Sequence, residues 1–267
     1  FFFFLFFFLN TSARSQNILI LISSYVFYSW WDYRFLSLIV FSTVVDYTLG
    51  LRIHNEKKYR LRKLFLFCSI FINLGILGFF KYYNFFIESW IDLFRAIGFQ
   101  MSHVNTLNII LPVGISFYTF QTMSYTIDVY NRKLEPTKDF ISFASFVSFF
   151  PQLVAGPIEK AINLLPQISN KRTFSYEQSV QGLRLVLWGM FKKVVVADSL
   201  APIVDEVFSN YADYGSISLV LAAIYFSFQI YCDFSGYSDI AIGIAKLFGF
   251  ELMSNFKFPY FSRDIAE

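Results

Sequence analysis

Long uncharged apolar blocks alternate with short charged or polar segments along this chain. The blocks are residues 18–31, 35–45, 64–80, 107–120, 140–155, 180–191, 216–231 and 240–250. None alternates with the period of two that a membrane barrel strand requires, and continuous apolar runs of this kind read as helices. In lipid, backbone amides and carbonyls are satisfied internally only in helices or closed barrels. The pattern therefore predicts an all-α, polytopic transmembrane protein. A full span takes roughly 20 mostly apolar residues. Several blocks reach that length only with their Tyr, Ser and Thr flanks, so re-entrant or interfacial segments are expected among them.

Composition supports that class. The 267 residues are 56% hydrophobic and 15% charged, against about 45–50% and about 25% in soluble domains. Net charge is only +3, and no basic stripe with interleaved aromatics points to nucleic acid. Cys68 and Cys232 lie in apolar blocks and read as small buried hydrophobes rather than a disulfide framework. His54 falls in a basic loop and His103 in a polar connector. Both read as solvated, and a Ser-His-Asp triad within these residues is not expected. No glycine-rich phosphate loop and no His-Glu-x-x-His is present, so no metal centre and no resident cofactor are expected. The chain reads as one transmembrane domain over residues 1–267, incomplete at both ends. The Phe-rich residues 1–9 read as the remainder of a first membrane helix.

Charge orients the spans. Arg52, Lys57, Lys58, Arg60, Arg62 and Lys63 crowd one short loop against the single acid Glu56, and such loops stay cytoplasmic. Trp30, Trp31 and Tyr33 then fit an aromatic belt at the opposite face. The block 107–130 should return to a cytoplasmic segment carrying Arg132, Lys133 and Lys138. For Lys160, Lys171 and Arg172 to share that side, block 140–155 must enter and leave on one face, and Pro151, Gly156 and Pro157 supply the breaks. The stretch 180–200 should cross outward, residues 198–213 should form an acidic external loop, and 216–231 should return inward.

Polar groups within or between the apolar blocks are where chemistry would reside. The phrase Phe149-Phe150-Pro151-Gln152-Leu153-Val154-Ala155-Gly156-Pro157 is either a cavity-lining break or an interfacial turn. Tyr231-Cys232-Asp233-Phe234-Ser235-Gly236-Tyr237-Ser238-Asp239 puts two carboxylates between two apolar blocks. It is either a functional intramembrane site or a wet turn. If it is helical, Ser235 shares a face with Asp239 and Asp233 with Tyr237, while Gly236 and Gly243 permit close helix packing. Lys192 and Lys193, in an otherwise apolar run, read as snorkelling to headgroups before they read as an anion site. Residues 255–264, aromatic, basic and broken by Pro259, read as an interfacial amphipathic segment or a surface loop.

These phrases occur in a recognisable order. Residues 24–32 followed by Asp46 and Tyr47, then 111–121, 150–157, 191–198, 231–239 and 255–267 together resemble the membrane-bound O-acyltransferase superfamily, in its alginate O-acetyltransferase-like bacterial branch. The resemblance covers essentially the whole chain. It implies helices around a membrane-crossing tunnel and a multi-pass location in the bacterial cytoplasmic membrane. The activity it implies is transfer of an acyl group, usually acetyl from cytoplasmic acetyl-CoA as co-substrate, to a hydroxyl of a surface or extracellular polysaccharide. Periplasmic or extracellular proteins are implied as helpers. The family's histidine, a base suited to deprotonating the attacking hydroxyl, is expected beyond Glu267, so no catalytic role passes to His54 or His103. Gln152, Asp233, Ser235, Tyr237, Ser238 and Asp239 become candidates for lining the tunnel. Lys192, Lys193, Lys257 and Arg263 become candidates for meeting CoA phosphates or lipid headgroups. A transporter or flippase is the rival reading, because broken helices and intramembrane acids also mark transporters, although no internal repeat is visible. A non-catalytic scaffold and D-alanyl transfer to teichoic acid are further alternatives.

Overall fold

The computed structural model describes residues 3, 5–9, 12–98, 109–256 and 259–264. Every regular element among them is helical. After a π-helical turn at Leu5–Leu9 come α1 (Ala13–Asn55), α2 (Tyr59–Ala96), α3 (Ile115–Tyr130), α4 (Phe140–Val147), α5 (Phe150–Leu153) and α6 (Ala161–Ser169). Next, α7 (Tyr176–Met190), a π-helical segment (Phe191–Ala197) and α8 (Asp198–Ser209) run head to tail, followed by α9 (Ser216–Leu247) and a 3-10 turn at Pro259–Phe261. Helices α1, α2 and α9 are each long and apolar enough to cross a membrane. The chain divides into two compact units.

One unit holds Leu21–Ser148 with Lys160–Ile162. Its first helix is broken at Asp32, where the backbone is extended (φ −158°, ψ 110°). Asp32 starts the second half by accepting from the Arg34 amide at 2.9 Å, and the Arg34 guanidinium closes on it at 2.6 Å. The break falls between apolar blocks 18–31 and 35–45. Trp30 (88% exposed) and Tyr33 (76%) flank it, as an interfacial belt requires. The far end of the unit is tied by Arg62, which donates to the Ile53 and Tyr130 carbonyls at 3.2 and 2.5 Å. That bond places the end of α3 beside the basic loop, in line with the expected shared side. At the opposite end, Tyr28 OH donates to the Val113 carbonyl at 2.9 Å.

Helix α2 shows which solvent surrounds this unit. It buries Ser69, Asn73 and Leu77 and exposes Phe67, Phe71, Leu74 and Phe79. In water that distribution would be inverted. A helix with its small polar residues inside and its phenylalanines outside is built for lipid.

The other unit holds Phe1–Ile20, Phe149–Glu159 and Asn163–Glu267. Helix α9 packs along α7, the π-helical segment, α8 and α5. One expectation is corrected here. Residues 198–213 are not a loop, because Asp198–Ser209 continues the helical run. Of the readings open for the polar phrase between blocks 216–231 and 240–250, the turn does not hold, because the phrase stays helical within α9. The backbone of the 149–157 phrase does break. Helix α4 ends at Val147, α5 lasts four residues, and the chain is non-helical over residues 154–160.

Beyond α9, the chain is fixed by side chains rather than by regular pairing. Glu159, 1% exposed, accepts from the Met253 amide at 2.7 Å and from Asn163 Nδ2 at 3.0 Å. Gln167 meets both the amide and the carbonyl of Glu251, at 2.8 and 2.9 Å. Phe149 stacks edgewise on Phe250 and Phe150 on Phe248.

Arg172 clamps the start of α1 in the same unit. Its guanidinium donates to the Ile168 and Asn170 carbonyls and to Asn17 Oδ1, each at 2.7 Å. It also lies over the rings of Phe6 and Phe250. Burial pushes its pKa down to about 10, so it remains charged at neutral pH. A planar fork with several donors cannot be replaced by a single ammonium. Arg172→Lys is therefore expected to cost about 2–3 kcal/mol, read as a lower thermal midpoint of the detergent-purified full-length protein.

Candidate functional site

The site starts from a change of helical pitch. In an α-helix, residues five apart point about 140° away from each other. In a π-turn they stack, because each amide bonds to the carbonyl five residues back. The Asp198 amide donates to the Lys193 carbonyl in that i,i+5 pattern. The carboxylate of Asp198 thus comes over Lys193, and Oδ1 lies 2.6 Å from Nζ. Pitch changes of this kind occur often at functional positions.

Helix α9 provides the other half. Ser235 and Asp239 are one turn apart on one face, as are Asp233 and Tyr237. Lys192 Nζ lies 2.6 Å from Asp239 Oδ2 and donates to Ser235 Oγ. Lys193 Nζ lies 2.7 Å from Asp233 Oδ1 and 5.2 Å from the centre of the Tyr237 ring. Lys192 is buried, at 8% exposed, and the Lys193 cluster is more open. The two lysines therefore do not extend outward as snorkelling would require. Both ammoniums turn to carboxylates on the neighbouring helix, because a buried charge is tolerable only when paired.

Four glycines bring the helices close enough for this. A Cβ on Gly189 would stand 2.6 Å from the Gly236 carbonyl, and one on Gly243 would stand 2.5 Å from the Gly182 carbonyl. Gly182 and Gly189 are seven residues apart, and so are Gly236 and Gly243. The two antiparallel helices touch backbone to backbone at both places, and the lysines lie just past the second contact. Gly236 and Gly243 are legible in the sequence as packing positions. Gly182 and Gly189 are not singled out by it, although their mirrored seven-residue spacing is the signal that could have found them.

Gln152 lies on α5, which packs on α9. Only 2% of it is exposed, and neither its amide oxygen nor its amide nitrogen has a hydrogen-bond partner among the described residues. Gly156, four residues on, comes so close to α9 that a Cβ there would stand 2.9 Å from Ala241 Cβ. Ser238, also buried, precedes Ala241 by one turn. Five of the six sequence-derived lining candidates (Asp233, Ser235, Tyr237, Ser238 and Asp239) thus share α9, and Gln152 lies on the helix packed against it. Arg263 lies in an exposed segment after the 3-10 turn. Lys257 lies outside the described residues. That turn is attached to α9: Tyr260 OH donates to the Ser227 carbonyl at 2.5 Å, and its ring packs on Tyr231. The turn is thereby held beside Tyr231, less than one helical turn from Asp233. Glu159, the buried acid that fixes Met253, is not singled out by the sequence.

Residues 133–265 match the model of MBOAT, the membrane-bound O-acyltransferase family. That stretch contains the whole lysine–carboxylate site. The chain belongs to this family. Among its relatives is the probable alginate O-acetylase AlgI of Azotobacter vinelandii, 41% identical over 256 residues covering 96% of this chain and 50% of the relative. The peptidoglycan O-acetyltransferase of Helicobacter pylori is 34% identical, over 93% of this chain and 51% of the relative. The teichoic acid D-alanyltransferase of Streptococcus thermophilus is 28% identical, over 58% and 39%. The chain spans about half the length of the curated relatives it matches. As a family member it is membrane-integral, which accounts for the phenylalanines exposed on α2 and the apolar outer surface of α9.

Proposed function

We propose that the protein containing this chain is an O-acetyltransferase of the bacterial cytoplasmic membrane. It takes an acetyl group from acetyl-CoA on the cytoplasmic side and passes it to a hydroxyl of a surface or extracellular polysaccharide, with extracytoplasmic proteins assisting. The observation that carries this reading is the site between α7, the π-helical segment and α9, a set of paired charges around the buried Lys192 lying wholly within the family match. Relatives named for acetyl transfer to alginate and to peptidoglycan support the chemistry and leave the acceptor glycan open.

Each group has a role in this reading. Asp233, Ser235, Tyr237, Ser238 and Asp239 line the acyl passage from α9, and Gln152 faces it from α5. A buried amide with both ends unpaired costs free energy, and a passing thioester or ester oxygen would satisfy its N–H. Lys193, between Asp198 and Asp233, lies nearest to open surface, and Arg263 with Lys257 would meet the phosphates of the donor. The proton of the attacking hydroxyl goes to a histidine that the family resemblance puts after Glu267.

The full-length protein in proteoliposomes, given radiolabelled acetyl-CoA and a polysaccharide acceptor, tests this. Label is expected in base-labile ester on the acceptor, and Gln152→Leu is expected to cut it by about 10-fold or more at equal protein level. No label with any tested glycan, or label incorporated only from activated D-alanine, removes the acetyltransferase reading. Unchanged transfer by Gln152→Leu removes only the role given to Gln152.

A further inference from the structure

Asp46 is fully buried in the unit that holds Leu21–Ser148, and no cationic side chain pairs with it among the described residues. Neutral groups surround it instead. Ser69 Oγ donates to Oδ1 at 2.6 Å and Asn73 Nδ2 donates to Oδ2 at 2.8 Å. Asn73 Oδ1 in turn accepts from Ser42 Oγ at 2.8 Å and from Thr122 Oγ1 at 3.3 Å. Ser69 Oγ lies 3.0 Å from Thr126 Oγ1. These residues come from α1, α2 and α3, and all but Asp46 are uncharged.

A second group adjoins them. Tyr125 is fully buried, and its hydroxyl has no hydrogen-bond partner among the described residues. A Cβ on Gly50 would stand 3.0 Å from that hydroxyl. Gly50 is one helical turn from Asp46, so a spare phenol oxygen borders the cluster.

The depth of the cluster makes its charge costly. Asp46 precedes the end of α1 at Asn55 by nine residues, about 14 Å of helix, within an apolar core about 30 Å thick. Neutral donors soften an isolated carboxylate at that depth but do not cancel it. An ionised Asp46 at that depth calls for one positive charge. The candidate ligands are all oxygens: two from the carboxylate, four hydroxyls from Ser42, Ser69, Thr122 and Thr126, the nearby phenol, and the amide oxygen of Asn73 once its amide turns over from the N–H that now faces Asp46. An all-oxygen set without sulfur or imidazole suits a hard cation, and a single carboxylate balances a single charge. The groups are now joined by hydrogen bonds of 2.6–3.3 Å, which an entering cation must replace, and a small ion does so with the least displacement.

We propose that Asp46, Ser69, Asn73, Thr122 and Thr126 form a sodium-binding site that neutralises the buried carboxylate and joins α1, α2 and α3. Binding to the folded state alone stabilises it by mass action. Thermal unfolding of the full-length protein in lipid nanodiscs, in sodium chloride against choline chloride at constant ionic strength, reads this directly. The midpoint is expected to rise by about 3 °C or more as sodium replaces choline, with potassium less effective. Asp46→Asn keeps the shape, loses the charge and should lose the dependence on sodium. Ser69→Ala keeps the carboxylate and should move the half-saturating sodium concentration up by about fivefold. Equal midpoints in sodium and choline overturn the proposal, and so does an undiminished sodium response in Asp46→Asn. A rise on acidification that is the same without sodium also overturns it, because a proton then neutralises Asp46. If Asp46→Asn does not fold, an unshifted half-saturation in Ser69→Ala is decisive against the site.

Discussion

Lys192→Met in the full-length protein is expected to lower stability by up to about 3 kcal/mol, because it leaves the half-buried Asp239 carboxylate without its cation. Asp239→Leu should cost a similar amount by stranding the ammonium. The double variant Lys192→Met/Asp239→Leu is expected to regain most of that loss, because a buried ion pair replaced by apolar groups of like volume is close to neutral. Lys193→Met should cost less, since its carboxylate partners are more exposed and can be solvated. Thermal midpoints in detergent measure all four. The proposed acetyl transfer separates structure from chemistry. A double variant that is stable but inactive supports a place for the pair in the proposed acyl passage, and one that is stable and active reduces it to scaffolding. A Lys192→Met protein as stable as its parent would mean that the pair does not form in the membrane.

The membrane class and the all-α fold were legible because they rest on block length and absence of alternation, which no tertiary contact can override. The boundaries were less so. The stretch 198–213 looked like a loop because it gathers Asp198, Asp205, Glu206 and Asp213, yet Asp198 is held by Lys193 and the others stay exposed on the helix or beyond it, so the chain continues as α8. Whether blocks 216–231 and 240–250 join stayed open, because Asp233 and Asp239 suit a wet turn as well as an intramembrane site. Both are paired across to the π-helical segment, so α9 passes through them without a break.

The site was half legible for the same reason. Two acids in α9 and two lysines after α7 were each conspicuous in an apolar setting, but sequence gives no distance between them. Lysines judged alone snorkel, whereas lysines facing carboxylates across a glycine contact do not. The missing signal was the register. Gly182 pairs with Gly243 and Gly189 with Gly236, and extending that antiparallel count by three residues brings Lys192 level with Asp233, although Asp239, on the far side of the Gly236 contact, is reached only by the Lys192 side chain running back along α9. The π-turn that stacks Asp198 on Lys193 has no signature in the residues that form it.

The glycine contacts give the second large effect. Gly→Ala within an exposed helix usually stabilises by about 0.5–1 kcal/mol. Gly78 in α2 is such a position, since an added Cβ meets nothing within 4 Å. At Gly236 the same methyl would meet the Gly189 carbonyl at 2.8 Å, and at Gly189 it would meet the Gly236 carbonyl at 2.6 Å. Backbone cannot rotate away as a flexible side chain can, so the helices must separate. Gly189→Ala and Gly236→Ala are each expected to destabilise by about 1–3 kcal/mol, and Gly236→Val by more, while Gly78→Ala raises the midpoint. Because both glycines touch the same contact, the two alanines together should cost less than their sum. Separation would also stretch Lys192 away from Asp239 and Lys193 from Asp233. Acetyl transfer in the alanine variants should therefore fall further than folded protein level alone explains, measured on membranes adjusted to equal amounts of folded protein. If Gly236→Ala is as stable and active as the parent, the α7–α9 contact is looser than described, and the lysine–carboxylate pairs lose the close approach that assembles them.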